Sequence, residues 1–489
     1  MTKTSAKRSD GGAGVRGGAE ASAAPRAGLP NLTPAQIERF GRELDALRER
    51  VRADLGERDA NYIRRMIALQ RTLELGGRGM LYASLLPPAW LAGTAALSLA
   101  KILDNMEIGH NVMHGQYDWM GDPRLIGERF EWDTVCPADQ WRHSHNYIHH
   151  TFTNIVGKDR DLGYGILRVS ERQPWRPYYL GNPLYATLLA LLFQWGVAFH
   201  DLEVERVLAG EASAREKLPL ARAIFAKARA QLLKDYVLYP ALAGPLAPAV
   251  FAGNLSANLT RNVWAFAIIF CGHFPDGTQA FGIEQSARES RGEWYLRQVL
   301  GSANISGGPL LHVLSGNLSH QIEHHLFPEL PAHRYADIAV EVRAILERYG
   351  VPYNSGPLHR QLGTVARRLA RLSLPDQMPL QGLARKLAHS AEPPARLIGS
   401  GLRLSKAPLT LTRRTLLGAG RLVGRGLLSG AAAGRPGLRD RRRAARTQGQ
   451  RQSARPARPA ARTARQSAQG RRRPARRTPA LDAVPAELA

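Results

Sequence analysis

The sequence predicts an all-helical, membrane-embedded fold with polar ends. Two observations lead there. The 489-residue chain is 44% hydrophobic overall, but its apolar residues gather in long runs at 80–103, 178–199 and 236–274. Crossing the hydrocarbon core takes about 20 such residues. In addition, nine of the 15 histidines fall in three tight groups outside these runs, which points to one shared site beside the membrane.

Taken in order, residues 1–32 are rich in Gly, Ala, Ser and Arg, lack the apolar core of a secretory signal, and read as disordered. Thr33-Pro34-Ala35-Gln36 is a helix start: Thr33 caps, Pro34 suits the first helical position and Gln36 completes a capping box. The helix runs to about Leu55, with Ile37, Phe40, Leu44 and Leu47 along one face. The run at 80–103 carries one charge, Lys101. It fits either a single span or, because of Pro87-Pro88, a hairpin. The arms of that hairpin start near Met66 and run from Ala89 to about His110. The first arm carries Arg71, Glu74 and Arg78.

Residues 178–199 have no charge, whereas 200–235 hold seven Lys or Arg and favour the cytoplasmic side. The run at 236–274 is apolar except for Arg261, and Gly253-Asn254 near its middle suits a turn between two short spans. If the histidines share a site, 110–150 and 320–325 lie on one side. Then 236–274 goes out and back, and 178–199 lies in the interface or dips without crossing; a simple crossing is the rival.

Residues 386–430 form a basic amphipathic segment that alternates Leu with Arg over 397–430 and suits an anionic membrane surface. The tail, 431–489, is low-complexity and disordered, with 16 Arg, no Lys and 3 acidic residues. It holds half of the net charge of +26. Lacking aromatics for stacking, it gives no reason to expect a nucleic-acid partner. Two cysteines, Cys136 and Cys271, are too few for a disulfide framework and read as buried thiols.

The histidine groups carry the chemistry. His110 and His114 stand four apart, on one helix face. His145 and His149 repeat that spacing, and His150 points about 100° away, as two adjacent metals require. His320, His324 and His325 follow the same logic. Imidazole suits zinc, copper, iron and nickel. A structural zinc takes four ligands, so eight or nine histidines fit two metals. Carboxylate-bridged di-iron bundles use a Glu-x-x-His from each of two helices. Only Glu107-Ile-Gly-His110 matches, so the site is histidine-dominated. A zinc-binding membrane protein without redox chemistry is the rival from another class.

In order and setting, the three groups resemble the histidine boxes of the membrane fatty acid desaturase superfamily. Gln321-Ile322-Glu323-His324-His325 is similar to the third box of its front-end and linoleoyl-CoA branch. The stretches Asn105 to Gln116 and Cys271 to Gly277 resemble the stearoyl-CoA Δ9-desaturases of mycobacteria and other actinobacteria. The likeness runs from about Leu44 to Leu380 and is specific over the boxes and over Gly316-Asn317-Leu318-Ser319-His320.

The resemblance implies about four transmembrane helices and a cytoplasmic helical cap holding two iron ions, in a domain spanning 33–385. It implies His110 and His114 as box one, His145, His149 and His150 as box two, His324 and His325 as box three, and His273 as a further ligand. The first place of box three stays open: metal chemistry prefers His320, alignment prefers Gln321. His143, Asp159, Asp161 and Asn317 are candidates to orient ligands, and Asp159 and Asp161 read equally well as a solvated loop. Trp119, Trp132 and Trp141 are packing or interface residues, or walls of an acyl tunnel.

The implied reaction is dioxygen-dependent desaturation of a long-chain acyl-CoA or lipid-linked acyl chain, Δ9-type or linoleoyl-CoA-type, in the cytoplasmic membrane with its lipid as surroundings. A hydroxylase, acetylenase or ketolase is the sister alternative. The sequence has no His-Pro-Gly-Gly box of a fused cytochrome b5, no glycine-rich dinucleotide fingerprint and no cysteine quartet. Electrons from NAD(P)H are therefore expected through a separate carrier of ferredoxin or flavin reductase type. Lys101, Arg142, Lys158 and Arg160 are candidates for the CoA phosphates.

Overall fold

The computed structural model describes residues 30–376 except Arg288. The expectations for most of 1–32, for 386–430 and for the tail at 431–489 lie outside the described residues.

Helix α1, Pro34–Ala53, begins as its sequence dictates: Gln36 N–H donates to the Thr33 hydroxyl, and Thr33 N–H donates back to the Gln36 side chain. Its buried face of Phe40, Leu44 and Leu47 joins a core with Tyr295, Leu326, Phe327 and Val342. Helices α2, Glu57–Tyr82, and α3, Pro87–Ile102, form the hairpin alternative, with Pro87 opening the second arm. A single span over 80–103 is thereby excluded. The two arms cross where both carry glycine. A Cβ on Gly93 would lie 2.9 Å from the Gly77 carbonyl oxygen, and one on Gly77 2.9 Å from the Leu97 nitrogen. Beyond Ile102 the helix widens into π-turns over Leu103–His110, a departure that recurs at functional sites.

Residues 178–199 do not form a straight crossing. The segment Pro177–Leu191, which contains α4, Asn182–Leu191, meets α5, Phe193–His200, at a bend of 104°. Among the described residues no single helix is long and apolar enough to cross a membrane. Helix α6, Ala214–Leu233, runs on through wide turns at Lys234–Leu238 to a short helix, Tyr239–Leu242. The chain then returns as α7, Ala247–His273, one unbroken helix of 27 residues.

The turn thus precedes α7, and the expectation of a turn at Gly253-Asn254 is wrong. Gly253 serves packing instead, because a Cβ there would meet the Leu81 side chain at 2.6 Å. Asn254 donates from Nδ2 to the Asp235 carbonyl at 2.6 Å. Side-chain carboxylates complete the junction. Lys101 pairs with Asp235 at 2.9 Å, and Arg78 reaches Glu74 at 2.8 Å and Asp235 at 3.4 Å. Asp235 is fully buried, so these ion pairs tie the two hairpins together from inside.

The remaining chain builds a cap: α8, Arg291–Leu300; α9, Gln321–Leu326; α10, Tyr335–Arg348; and α11, Leu358–Leu372. A short parallel pair, β1 Asn304–Ser306 with β2 Ser355–Pro357, clasps the chain on either side of α9 and α10.

Candidate metal centre

The three histidine groups converge. His110 closes the π-turns after α3, and His114 follows one short turn later. His145 and His149 lie on a second π-helical stretch, Arg142–His149, with their rings stacked 5.0 Å apart. His273 ends α7, and His324 and His325 lie on α9. Among the described residues three sets have ligand atoms all within 4.8 Å of one another: two of histidines alone, His110, His114, His145 and His324, and His149, His273 and His325, and a third, His145, His149 and Asp161, that bridges them. His150 stands between them, its ring 4.8 Å from those of His114 and His324 and 4.5 Å from that of His325. The divergence of His149 and His150 is seen directly, with ring planes 79° apart.

The outer nitrogens explain how the inner ones are aimed. His145 Nδ1 donates to Asp161 at 3.1 Å, and His149 Nδ1 donates to Asp159 at 3.0 Å. His325 Nδ1 donates to the Gln298 side-chain oxygen at 2.9 Å. The Tyr335 hydroxyl, which gives its own proton to the Phe327 carbonyl, accepts from His324 Nδ1 at 3.4 Å. A proton fixed on Nδ1 leaves a lone pair on Nε2. The Nε2 atoms of His114, His145 and His149, and both ring nitrogens of His150, are buried without a partner. Across the site His110 Nε2 faces His324 Nε2 at 3.4 Å, and His273 Nε2 faces His325 Nε2 at 3.2 Å. Buried nitrogens turned inward without partners are what two nitrogen-ligated metal ions would satisfy.

Burial, followed by the neighbouring histidines, holds His150, His324 and His325 well below the ordinary imidazole range, so these rings are neutral and can bind metal. Burial alone would also lower His149, but the Asp159 carboxylate outweighs it and raises that ring.

Placement bears on several expectations. Asp159 and Asp161 stand behind His149 and His145 and accept from their Nδ1 atoms, and Asp161 also lies 3.2 Å from His200 Nε2. At the disputed first place of box three, His320 is not brought to the cluster. Its ring lies against His312 at 4.6 Å, while Gln321 Nε2 stands 3.0 Å from His273 Nε2. The cause is local. Gly316 (φ 68°) and Asn317 (φ 57°) are left-handed, and the tight turn Leu318–His320 that follows swings one residue away. Gly316 has no substitute there, since a Cβ would lie 2.3 Å from the Met106 carbonyl oxygen.

His143 is exposed, with its ring beside that of Tyr147 at 5.9 Å. Asn317 acts one step further back, donating to Glu107 at 3.0 Å; Tyr62 donates to the same buried carboxylate at 2.7 Å. Lys101 is buried in its pairing with Asp235 and is not free to meet a phosphate. Arg142 donates to the Gly127 and Phe130 carbonyls, Arg160 pairs with Glu203 and Glu205, and the Lys158 ammonium sits over the Phe152 ring. Gln298 and Tyr335 were missed. They lie 27 and 11 residues from the histidines they hold, and no spacing rule links them.

Beside His110 and His145 opens a cavity walled by Met106, Trp132, Trp141, Phe193, Val197 and Ile269. Two of the three tryptophans thus line it, and Trp141 also stacks on His145 at 4.5 Å. Cys136 and Cys271 are buried and unpaired.

Comparison with known proteins follows the same lines. A sequence model of the fatty acid desaturase family matches residues 86–357. The NADPH-dependent stearoyl-CoA 9-desaturase of Mycobacterium tuberculosis is 49% identical over 71% of this chain and 82% of its own length. The sn-1 linoleoyl-lipid 6-desaturase of Synechocystis is 26% identical over 57% of this chain and 79% of its own. An acyl-lipid (7-3)-desaturase of Diacronema lutheri is 34% identical over 44% and 48%.

Proposed function

Because the chain belongs to the fatty acid desaturase family, we propose that it is an acyl-CoA desaturase of the Δ9 type that works with two iron ions. The observation that carries this reading is the convergence of three histidine groups into two facing sets with unpartnered nitrogens turned inward. His110, His114, His145 and His324 would hold one ion, and His149, His273 and His325 the other. His150 stands within reach of both, and the Gln321 amide lies beside the second set. Bound iron supplies the oxidant, made from dioxygen, that an unactivated methylene requires and that side-chain acids and bases do not provide.

The residues do the rest. Asp159, Asp161, Gln298 and Tyr335 hold the imidazoles in one tautomer and orientation. The wall of Met106, Trp132, Trp141, Phe193, Val197 and Ile269 takes an extended acyl chain and keeps water from the reacting carbons. Two electrons come from NADPH through a separate protein.

The catalytic domain covers 33–385 and sits in the cytoplasmic membrane with the cap on the cytoplasmic side. Four arms enter the bilayer: α2 from near Met66, α3, the stretch from α6 through Tyr239–Leu242, and α7. The bent α4–α5 pair lies at the interface. Internal pairing of Arg78, Lys101 and Asp235 supports this topology, because intramembrane charges face partners within the bundle. It also accounts for arms that are too short or too polar to qualify as spans one at a time.

The test is expression in a host that lacks the activity, followed by double-bond mapping of its fatty acids. A cis double bond at carbon 9 of the stearoyl chain is expected. A hydroxylated chain, or no new product with iron bound, would refute the reading.

A further inference from the structure

One loop links the metal ligands to the wall of the cavity. In the segment 159–165, Asp159 holds His149 and Asp161 holds His145, with His200 Nε2 3.2 Å from Asp161. Two residues after Leu162 the same chain delivers Tyr164 to the cavity. Here the backbone does something unusual. Gly163 (φ 74°), Tyr164 (φ 53°) and Gly165 (φ 71°) are consecutively left-handed. Glycine takes that conformation freely, whereas a bulky aromatic residue takes it rarely. Such a residue persists only where its surroundings over-determine it, and such places cluster at ligand sites.

The surroundings here are aromatic. The Tyr164 ring lies edge-on to Phe193 at 5.4 Å and to His200 at 5.3 Å, and parallel to Phe270 at 6.0 Å. His200 donates from Nδ1 to the Val197 carbonyl at 2.7 Å, and its Nε2 lies 3.2 Å from Asp161 and 3.4 Å from Asp201. The Tyr164 ring is therefore joined to Asp161 through three residues of backbone and packs on a histidine beside the same carboxylate.

Resting on the desaturase reading, we propose that Tyr164 sets the register of the acyl chain, as the wall that decides which pair of methylenes stops beside the metal ligands. A ring carried by the loop that holds the ligands measures distance along a chain, which a ring on an independent element would not do. The flanking glycines allow the backbone to place it there.

The experiment uses the full iron-loaded chain with its electron donors and saturated acyl-CoA substrates in two-carbon steps on either side of stearoyl. Tyr164→Asn removes the ring but keeps a residue that tolerates the left-handed backbone. Its discrimination in kcat/KM between neighbouring chain lengths should fall about tenfold or more, and its products should carry double bonds at adjacent positions. Tyr164→Phe, which keeps the ring, should restore both the discrimination and the single position. Iron content and melting temperature report folding. If Tyr164→Asn does not fold, Phe193→Ala, which unseats the ring, should produce the same loss of register. Unchanged discrimination and a single double-bond position in a folded Tyr164→Asn or Phe193→Ala variant would overturn the proposal. A wild-type enzyme that desaturates no acyl-CoA would overturn the desaturase reading instead.

Discussion

An imidazole anchored through one nitrogen aims the other, and at this centre the anchors are as specific as the ligands. Replacing His149 or His324 with alanine should abolish product and lower bound iron, because each removes an inward nitrogen from a different set. His320→Ala should retain both, since that ring packs on His312 outside the cluster. Product analysis and metal content of the purified variants check the contrast, and loss of iron in His320→Ala would refute the placement. The histidines themselves were legible, since residues four apart stay on nearly the same face in both α-turns and the π-turns found here. The choice between His320 and Gln321 was not. It turns on the left-handed Gly316-Asn317 pair and the tight turn after it, which shift the phase of the helix by a residue. Gln298 and Tyr335 were beyond reach because tertiary contact alone joins them to their histidines.

Elements carry the next level of evidence. The start of α1 was readable because a capping box is a local code, and the α2–α3 hairpin because proline opens helices. The turn before α7 was misplaced because glycine has two uses, bending a chain and letting another approach it, and at Gly253 the second applies. The same close approach governs the α2–α3 crossing. Gly93→Val should destabilise the protein by about 1–3 kcal/mol, read as a lower melting temperature in detergent, because its side chain would overlap the Gly77 carbonyl.

At the foot of α2, Asp59 is buried and receives Arg334 Nη2 at 2.8 Å and His333 Nε2 at 2.8 Å. Burial alone would raise its pKa, but the Arg334 guanidinium and the Gly56 N–H outweigh burial and bring it from 3.8 to about 2. A carboxyl depressed in the folded state stabilises above its unfolded pKa. This contribution should therefore be complete above about pH 4 and drain away toward pH 2. Asp59→Asn should cost about 3 kcal/mol near neutrality, and the gap in melting temperature between it and wild type should close across that acid window.

At the scale of the whole molecule, charge and chemistry separate. Half of the net charge of +26 belongs to residues 431–489, and the centre is built from the 30–376 region. Deleting 431–489 should leave the rate per bound iron within about twofold of wild type, since every residue of the histidine centre lies within 110–325 and the composition of the tail is low-complexity. A folded, iron-loaded truncation without activity would contradict this.

The ion pairs between the hairpins also bear on how the chain is made. Lys101 leaves the ribosome 134 residues before Asp235, and Arg78 leaves it 157 residues before. The first hairpin is therefore synthesised before Asp235, with Glu74 already one turn from Arg78 at 2.8 Å and Asp133, 3.6 Å from Lys101, following soon after. What Asp235 adds is a carboxylate common to both cations, so the fully buried side-chain junction between the two hairpins closes only once the later one has been made.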